Sequence, residues 1–234
     1  MITLGPAMKT PPSRPSPPPD AGLHEPARLP VGEAPPAARN LLYPASTQEI
    51  LRLPRRPVAA VLENLRSLWN VGSIFRTSDA VRLQELYLCG FTGHPPRREI
   101  DKTALGATES VPWSYWSSSL EAIRWLKESG FTILGLERNH DSRPLREIEV
   151  RSPVAFVVGN EIAGVSEEAL ELCDATVEIP MAGMKESLNV AVAFGVMAYD
   201  LAARIPIPEE AVRDSPGAGG RSPGRREYPM RGAG

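Results

Sequence analysis

The sequence predicts an α/β domain: a mostly parallel sheet with helices on both faces. Two observations carry this. Apolar runs such as Val58-Ala59-Ala60-Val61-Leu62 and Val154-Ala155-Phe156-Val157-Val158 are too continuous for half-exposed strands and suit strands buried on both sides. Between such runs lie segments whose apolar residues recur at helical spacing, and this alternation builds parallel sheets.

Taken in order, Val58–Leu62 is the first strand. A helix over Asn70 to Ala80 places Val71, Ile74, Phe75 and Ser78 on one face, with Arg76 turned off that core face. Leu86-Tyr87-Leu88-Cys89 is a second strand, stopped by Gly90. Ile100 to Ala107 reads as a short helix and Val111 to Trp116 as an extended segment. Ser119 to Ser129 is amphipathic, carries Leu120, Ile123, Trp125 and Leu126, and ends at Gly130. Phe131 to Leu136 and Val154 to Val158 are the next strands. Ser166 caps a helix to about Cys173, with Glu168 near its positive end. Ala175 to Ile179 is a strand, and Ser187 to Arg204 a long helix rich in alanine. Ligands of parallel sheets bind beyond the carboxyl ends of the strands. Gly90, Gly159, Met181 and the loop of Glu137, Arg138 and Asn139 all lie there.

The domain spans residues 49–206. Residues 1–48 form a proline-rich extension: eleven of the 25 prolines fall before residue 40. Proline removes amide donors and locks φ, so disorder is expected. Residues 207–234 form a flexible basic tail, with five arginines from Arg213 onward against Asp214 and Glu227. Such a tail suits phosphate contact through counterion release, and suits solvated surface equally. The net charge of −2 neither announces nor excludes a nucleic-acid partner. Two basic clusters, Arg52, Arg55 and Arg56 and then Arg97, Arg98 and Lys102, carry the same two readings.

Cys89 and Cys173 do not make a disulfide framework and fit thiols in a reducing cytosol, so a cytoplasmic location is expected. There is no apolar run of the roughly 18 residues a membrane span needs. No apolar stretch follows Lys9, so no signal peptide is expected.

The chemistry narrows by residue type. GxGxxG, GxxxxGK(S/T) and GxSxG are absent. His24, His94 and His140 lack partners at metal-ligand spacing, so no metal is expected. The strongest signal is Gly159-Asn160-Glu161-Ile162-Ala163-Gly164-Val165-Ser166, followed by Ile179-Pro180-Met181 and Ser187-Leu188-Asn189-Val190. It puts a flexible loop, a tight turn and a polar helix start at the ends of consecutive strands. With Asn70 and Arg76, this leaves a site of arginine, asparagine, glutamate and serine. Such groups orient and polarise, and suit a cofactor that brings its own reactivity.

These segments resemble the three motifs of the SpoU/TrmH family of RNA ribose 2′-O-methyltransferases, in the SPOUT superfamily. The first motif is matched by Glu63 to Thr77, the second by Val158 to Ser166, and the third by Ile179-Pro180-Met181 through Ser187 to Ala193. The resemblance covers about residues 55 to 204. It implies a C-terminal deep trefoil knot, a homodimer formed through the knotted region, and S-adenosylmethionine as cofactor. It further implies that Gly159, Glu161, Gly164, Ile179, Met181 and Leu188 line the cofactor site. Asn70, Arg76, Glu161, Ser187 and Asn189 match the family's functional polar positions. Arg76 would meet the target ribose or its phosphate, with Asn70 and Asn189 orienting it, the loops and the substrate.

Ala191 stands where several relatives have serine, and the proline-rich extension does not resemble the small folded RNA-binding domain many of them carry. The expected substrate is tRNA or rRNA. An inactive RNA-binding or ribosome-assembly protein with the same fold, and a base methyltransferase, are the competing readings.

Overall fold

The computed structural model describes residues 54–208. Arg52, His24, the proline-rich extension and the tail arginines from Arg213 onward lie outside them. Seven strands form one sheet in the order β3-β2-β1-β6-β4-β7-β5. They are β1 (Arg56–Glu63), β2 (Leu83–Cys89), β3 (Trp113–Trp116), β4 (Thr132–Leu136), β5 (Arg143–Pro144), β6 (Val154–Val158) and β7 (Ala175–Glu178). Every pairing between them is parallel.

Among the described residues the six α-helices are α1 (Leu68–Ala80), α2 (Arg98–Ala104), α3 (Ala107–Ser110), α4 (Ser119–Glu128), α5 (Glu167–Leu172) and α6 (Val190–Arg204). Strand alternation sends side chains to two cores. Val58, Ala60 and Leu62 meet Val71, Ile74 and Phe75 of α1 and Phe194, Met197 and Leu201 of α6 on one face. Ala59 and Val61 meet Ala122, Ile123 and Leu126 of α4 and Ala169 of α5 on the other. Helices therefore cover both faces, as the continuous apolar runs predict. None of the helices among the described residues is long and apolar enough to cross a membrane.

Several boundaries differ from expectation. Helix α1 starts at Leu68, two residues early, because Ser67 caps it by accepting from the Asn70 N–H. The expected helix over Ile100 to Ala107 is two pieces. Leu105 (φ 50°) and Gly106 (φ 88°) both adopt left-handed backbone, which stops α2 before α3 begins. Helix α6 begins at Val190 rather than Ser187, because Asn189 is its cap and accepts from the Ala191 N–H. The two-residue β5 was not anticipated; it is too short to leave a pattern.

One of the two basic clusters is corrected by the fold. Arg55 and Arg56 are internal clamps, not a charged patch at the domain entrance. Arg55 donates to the Leu83 carbonyl at 3.2 Å and to the carbonyl of Ser110. Burial, then the neighbouring Arg82, pulls its pKa down to about 10 against the opposing pull of Asp79. Arg56 donates to Val81 O at 3.1 Å, to Ala202 O at 2.8 Å and to Ile205 O. It joins the start of β1 to the carboxyl end of α6, where helical carbonyls lack partners within the helix. Arg56→Met strands those carbonyls. We expect a loss of about 1.5–3 kcal/mol of stability, read as a lower urea midpoint with an unchanged m-value.

Candidate active site

The sheet order reverses between β1 and β6: β2 and β3 extend one way, β4, β7 and β5 the other. Crevices open beyond the carboxyl ends of strands at such a reversal. Here the segments after β4, β6 and β7 and the start of α6 enclose a cavity of about 550 Å³. Gly159, Glu161, Gly164, Ile179, Met181 and Leu188 all line it, as do Ser187 and Asn189.

The wall after β6 is a closed turn. Asn160 N–H donates to Gly164 O at 2.9 Å and Gly164 N–H returns to Asn160 O at 2.8 Å. Asn160 Oδ1 accepts from the Ile162 and Ala163 amides at 2.9 and 3.0 Å. Gly164 closes the turn at φ 73°, a conformation that glycine adopts without strain. Gly159 has to be glycine for a different reason: an added Cβ would strike the Gly164 backbone.

Two carboxylates brace this wall. Glu137 accepts from the Val165 amide at 2.9 Å. Glu63, buried at the end of β1, accepts from the Ser166 amide at 2.9 Å, the Ser166 hydroxyl at 2.8 Å and the Ser119 hydroxyl at 2.6 Å. Glu63, Asn64 and Asn160 were not singled out from sequence. A carboxylate ending an otherwise apolar strand was the available signal for Glu63.

The third carboxylate joins the motifs. Glu161 accepts from the Arg66 and Ser67 amides at 2.9 and 3.0 Å and from Asn70 Nδ2 at 2.9 Å. It thus sits at the amino end of α1, where free N–H groups and the helix dipole favour a negative charge. Asn70 Oδ1 in turn accepts from Asn189 Nδ2 at 3.2 Å. A carboxylate can only accept, so its bond to Nδ2 also sets the Asn70 amide orientation. Residues from three distant segments are therefore linked in one line: Asn189, Asn70, Glu161.

Arg76 is not brought into this cavity. It is exposed on α1. Seven residues after Trp69, it shares that residue's helix face rather than Asn70's. The expected links from Asn70 and Asn189 to Arg76 are absent; the two asparagines bond each other and Glu161 instead. Among the described residues no three His, Cys, Asp or Glu side chains gather as a metal site. Cys89 and Cys173 are free thiols, and burial, with Asp174 adding to it, pushes Cys173 up to about 12.

The comparisons match this architecture. The SpoU rRNA methylase family model matches residues 57–199. The chain belongs to the SpoU rRNA methylase family. It is 38% identical over 153 residues to the tRNA (guanosine(18)-2′-O)-methyltransferase of Thermus thermophilus, covering 65% of this chain and 78% of that one. The Aquifex aeolicus enzyme of the same name is 32% identical, covering 65% of this chain and 72% of that one. Among solved structures, an AdoMet-bound rRNA methyltransferase from Sinorhizobium meliloti superposes with a TM-score of 0.59 at 30% identity. That match covers 66% of this chain but only 59% of the S. meliloti chain. The A. aeolicus TrmH/SpoU tRNA modifying enzyme gives 0.61 at 28% identity, covering 71% of this chain and 89% of that one.

The Glu161 contacts set a pH dependence. Burial alone raises its pKa, but the hydrogen bonds from Arg66 N–H, the Asn70 amide and Ser67 N–H outweigh it, and the net shift is downward. A folded-state pKa below the unfolded one stabilises the tie above the unfolded value, about 4.3, and that contribution is lost as pH falls through the folded value. We expect the Arg66 and Ser67 amides to be protected from hydrogen exchange at neutral pH. Glu161→Ala removes that protection at every pH; Glu161→Gln, with one acceptor oxygen in place of two, leaves one of the two amides protected and makes that protection independent of acid.

Proposed function

We propose that this protein transfers a methyl group from S-adenosylmethionine to a ribose 2′-hydroxyl in tRNA or rRNA. The observation that carries it is the Asn189–Asn70–Glu161 line, which ties the three family motifs around one cavity. The relatives, tRNA 2′-O-methyltransferases and an AdoMet-bound rRNA methyltransferase, point the same way.

The cavity residues fit the cofactor. Its size lies in the range of small-molecule sites, about 300–1,000 Å³. Ile179, Met181 and Leu188 offer apolar contact, and Gly159 lies on the same lining. When bound, S-adenosylmethionine supplies an activated methyl group on its sulfonium. Glu161 holds the wall against α1, and Asn189 caps α6 with Ser187 beside the cavity. The protonated guanidinium of Arg76 pairs with the substrate phosphate or with the negative charge growing on the 2′-oxygen. Positioning supplies much of the acceleration.

The proposed active form is a homodimer. Val192, Val196 and Tyr199 make an apolar stripe on α6, exposed by 52%, 41% and 58%. Val196 and Tyr199 also border a groove with Leu145, Ile179 and Pro180. Exposed apolar patches of this kind serve association. The position of Arg76, outside its own chain's cavity, supports a site completed at the interface. A trefoil knot belongs to the same reading. β5 precedes β7 in sequence yet flanks it on the far side, so the 137–142 connection spans from β4 past β7. That path supports threading of the chain that leaves β7.

Arg76→Ala should lower methyl transfer to RNA by about 100-fold or more, with cofactor affinity and dimer mass unchanged. Undiminished transfer would remove Arg76 from its role. A product digest should yield a 2′-O-methylnucleoside; a methylated base would overturn the ribose assignment. Val196→Glu with Tyr199→Glu should halve the mass by light scattering and abolish transfer. A mass unchanged by both charges would place the interface elsewhere.

A further inference from the structure

The catalytic reading does not use the aromatic surface beside the cavity. Phe91 is 63% exposed, Tyr115 47% and Trp69 47%. Single exposed aromatics are ordinary, but Tyr115 packs beside a further ring, that of His94, and bonds the carbonyl of Gly90, the residue before Phe91. His94 stacks on Trp113 with centroids 5.8 Å apart and planes 22° apart, and lies 5.3 Å from the Tyr115 ring. Its Nδ1 donates to Pro95 O at 2.9 Å, which holds the ring in place. The Tyr115 hydroxyl donates to Gly90 O at 3.0 Å.

This surface is tied to the cavity. Asn64 Oδ1 accepts from the Phe91 amide at 3.2 Å, while Asn64 O accepts from Asn160 Nδ2 at 2.8 Å. One residue thus joins the aromatic loop to the cavity turn. Gly93 packs against the end of the Leu68 side chain, which sets the loop beside the start of α1 and Trp69. Lys102 lies over the Trp69 ring at 5.4 Å, with Arg97 and Arg98 exposed close by in sequence. Glu99 and Asp101 on the same segment leave a small positive excess.

We infer that Phe91, His94, Tyr115 and Trp69 form a platform on which unpaired RNA bases next to the target nucleotide stack. Rings accept any base face, and the nearby cations follow the backbone. Duplex RNA keeps its bases stacked on one another and offers no free faces. The inference rests on the methyltransferase reading for the identity of the polymer, and its test is separable from it.

The test is fluorescence anisotropy with a labelled single-stranded RNA oligonucleotide and with the same sequence as a perfect duplex. The wild type should bind the single strand more tightly. Phe91→Ala and Tyr115→Ala should each weaken single-strand binding by about fivefold or more, without changing duplex affinity or cofactor affinity. Phe91→Trp and Tyr115→Phe should retain it. Equal wild-type affinity for the two forms, binding of neither, or full single-strand affinity in both alanine variants overturns the platform. Methyl transfer is measured in parallel. Alanine variants that raise KM for RNA and leave kcat unchanged support it. Single-strand preference without methyl transfer supports the platform while overturning the methyltransferase reading.

Discussion

The site depends on one carboxylate at one helix end. The N–H groups of the cap residue Ser67 and of Arg66 before it have no partners inside α1, and Glu161 supplies an acceptor to both. Glu161 itself stands in the turn after β6 that walls the cavity. The same contact therefore satisfies the start of α1 and holds the turn. Asn70 extends it to Asn189 and so to the start of α6. Without this acceptor, the Asn189–Asn70 bond, the Asn160 bond to Asn64 O and the Ser166 bonds to Glu63 remain, but none of them holds the Glu161 side of the turn against the start of α1.

The rest of the framework keeps that contact in place. The sheet is buried on both faces, so each strand's register decides which core its side chains enter. The reversal of strand order between β1 and β6 opens the crevice, and Glu63 and Glu137 fasten the turn to the sheet from behind. Arg56 and Arg204 secure the far end of α6 by donating to backbone carbonyls. Ends of elements here are held by charged side chains on backbone groups, while the middles are held by packing. This division leaves one wall of the cavity, the turn after β6, polar and well tied.

The outer surface reads differently. Trp69 and Arg76 share one face of α1, and the aromatic loop after β2 lies beside it. α6 shows an apolar stripe on its own exposed side. These features concern what approaches the site from outside, and the proposed occupants are a polynucleotide with free base faces on one side and a second copy of the chain on the other.

Much of this was legible in the chain itself. Val58 to Leu62 and Val154 to Val158 are apolar at every position, which only a strand covered on both faces demands, so the parallel sheet followed. Ser166 was readable as a cap because a hydroxyl before acidic residues is a local signal. The cavity-lining residues were found because the motif resemblance marks backbone turns at strand ends. Arg55 and Arg56 were misread because an arginine that donates to carbonyls far along the chain has the same local sequence as one facing solvent. The helix at Ser187 was extended too far because side-chain spacing does not distinguish a cap from the turn it caps. Sequence by itself determined most of the elements and the covering of the sheet on both faces, since these depend on local periodicity and residue type; the cavity-lining residues followed from the motif resemblance, and neither source marked β5 or the place of Arg76 outside the cavity. Only the tertiary structure decided that Asn70 faces Glu161 and Asn189 rather than Arg76, because that choice depends on helix rotation and loop closure across about a hundred residues of separation.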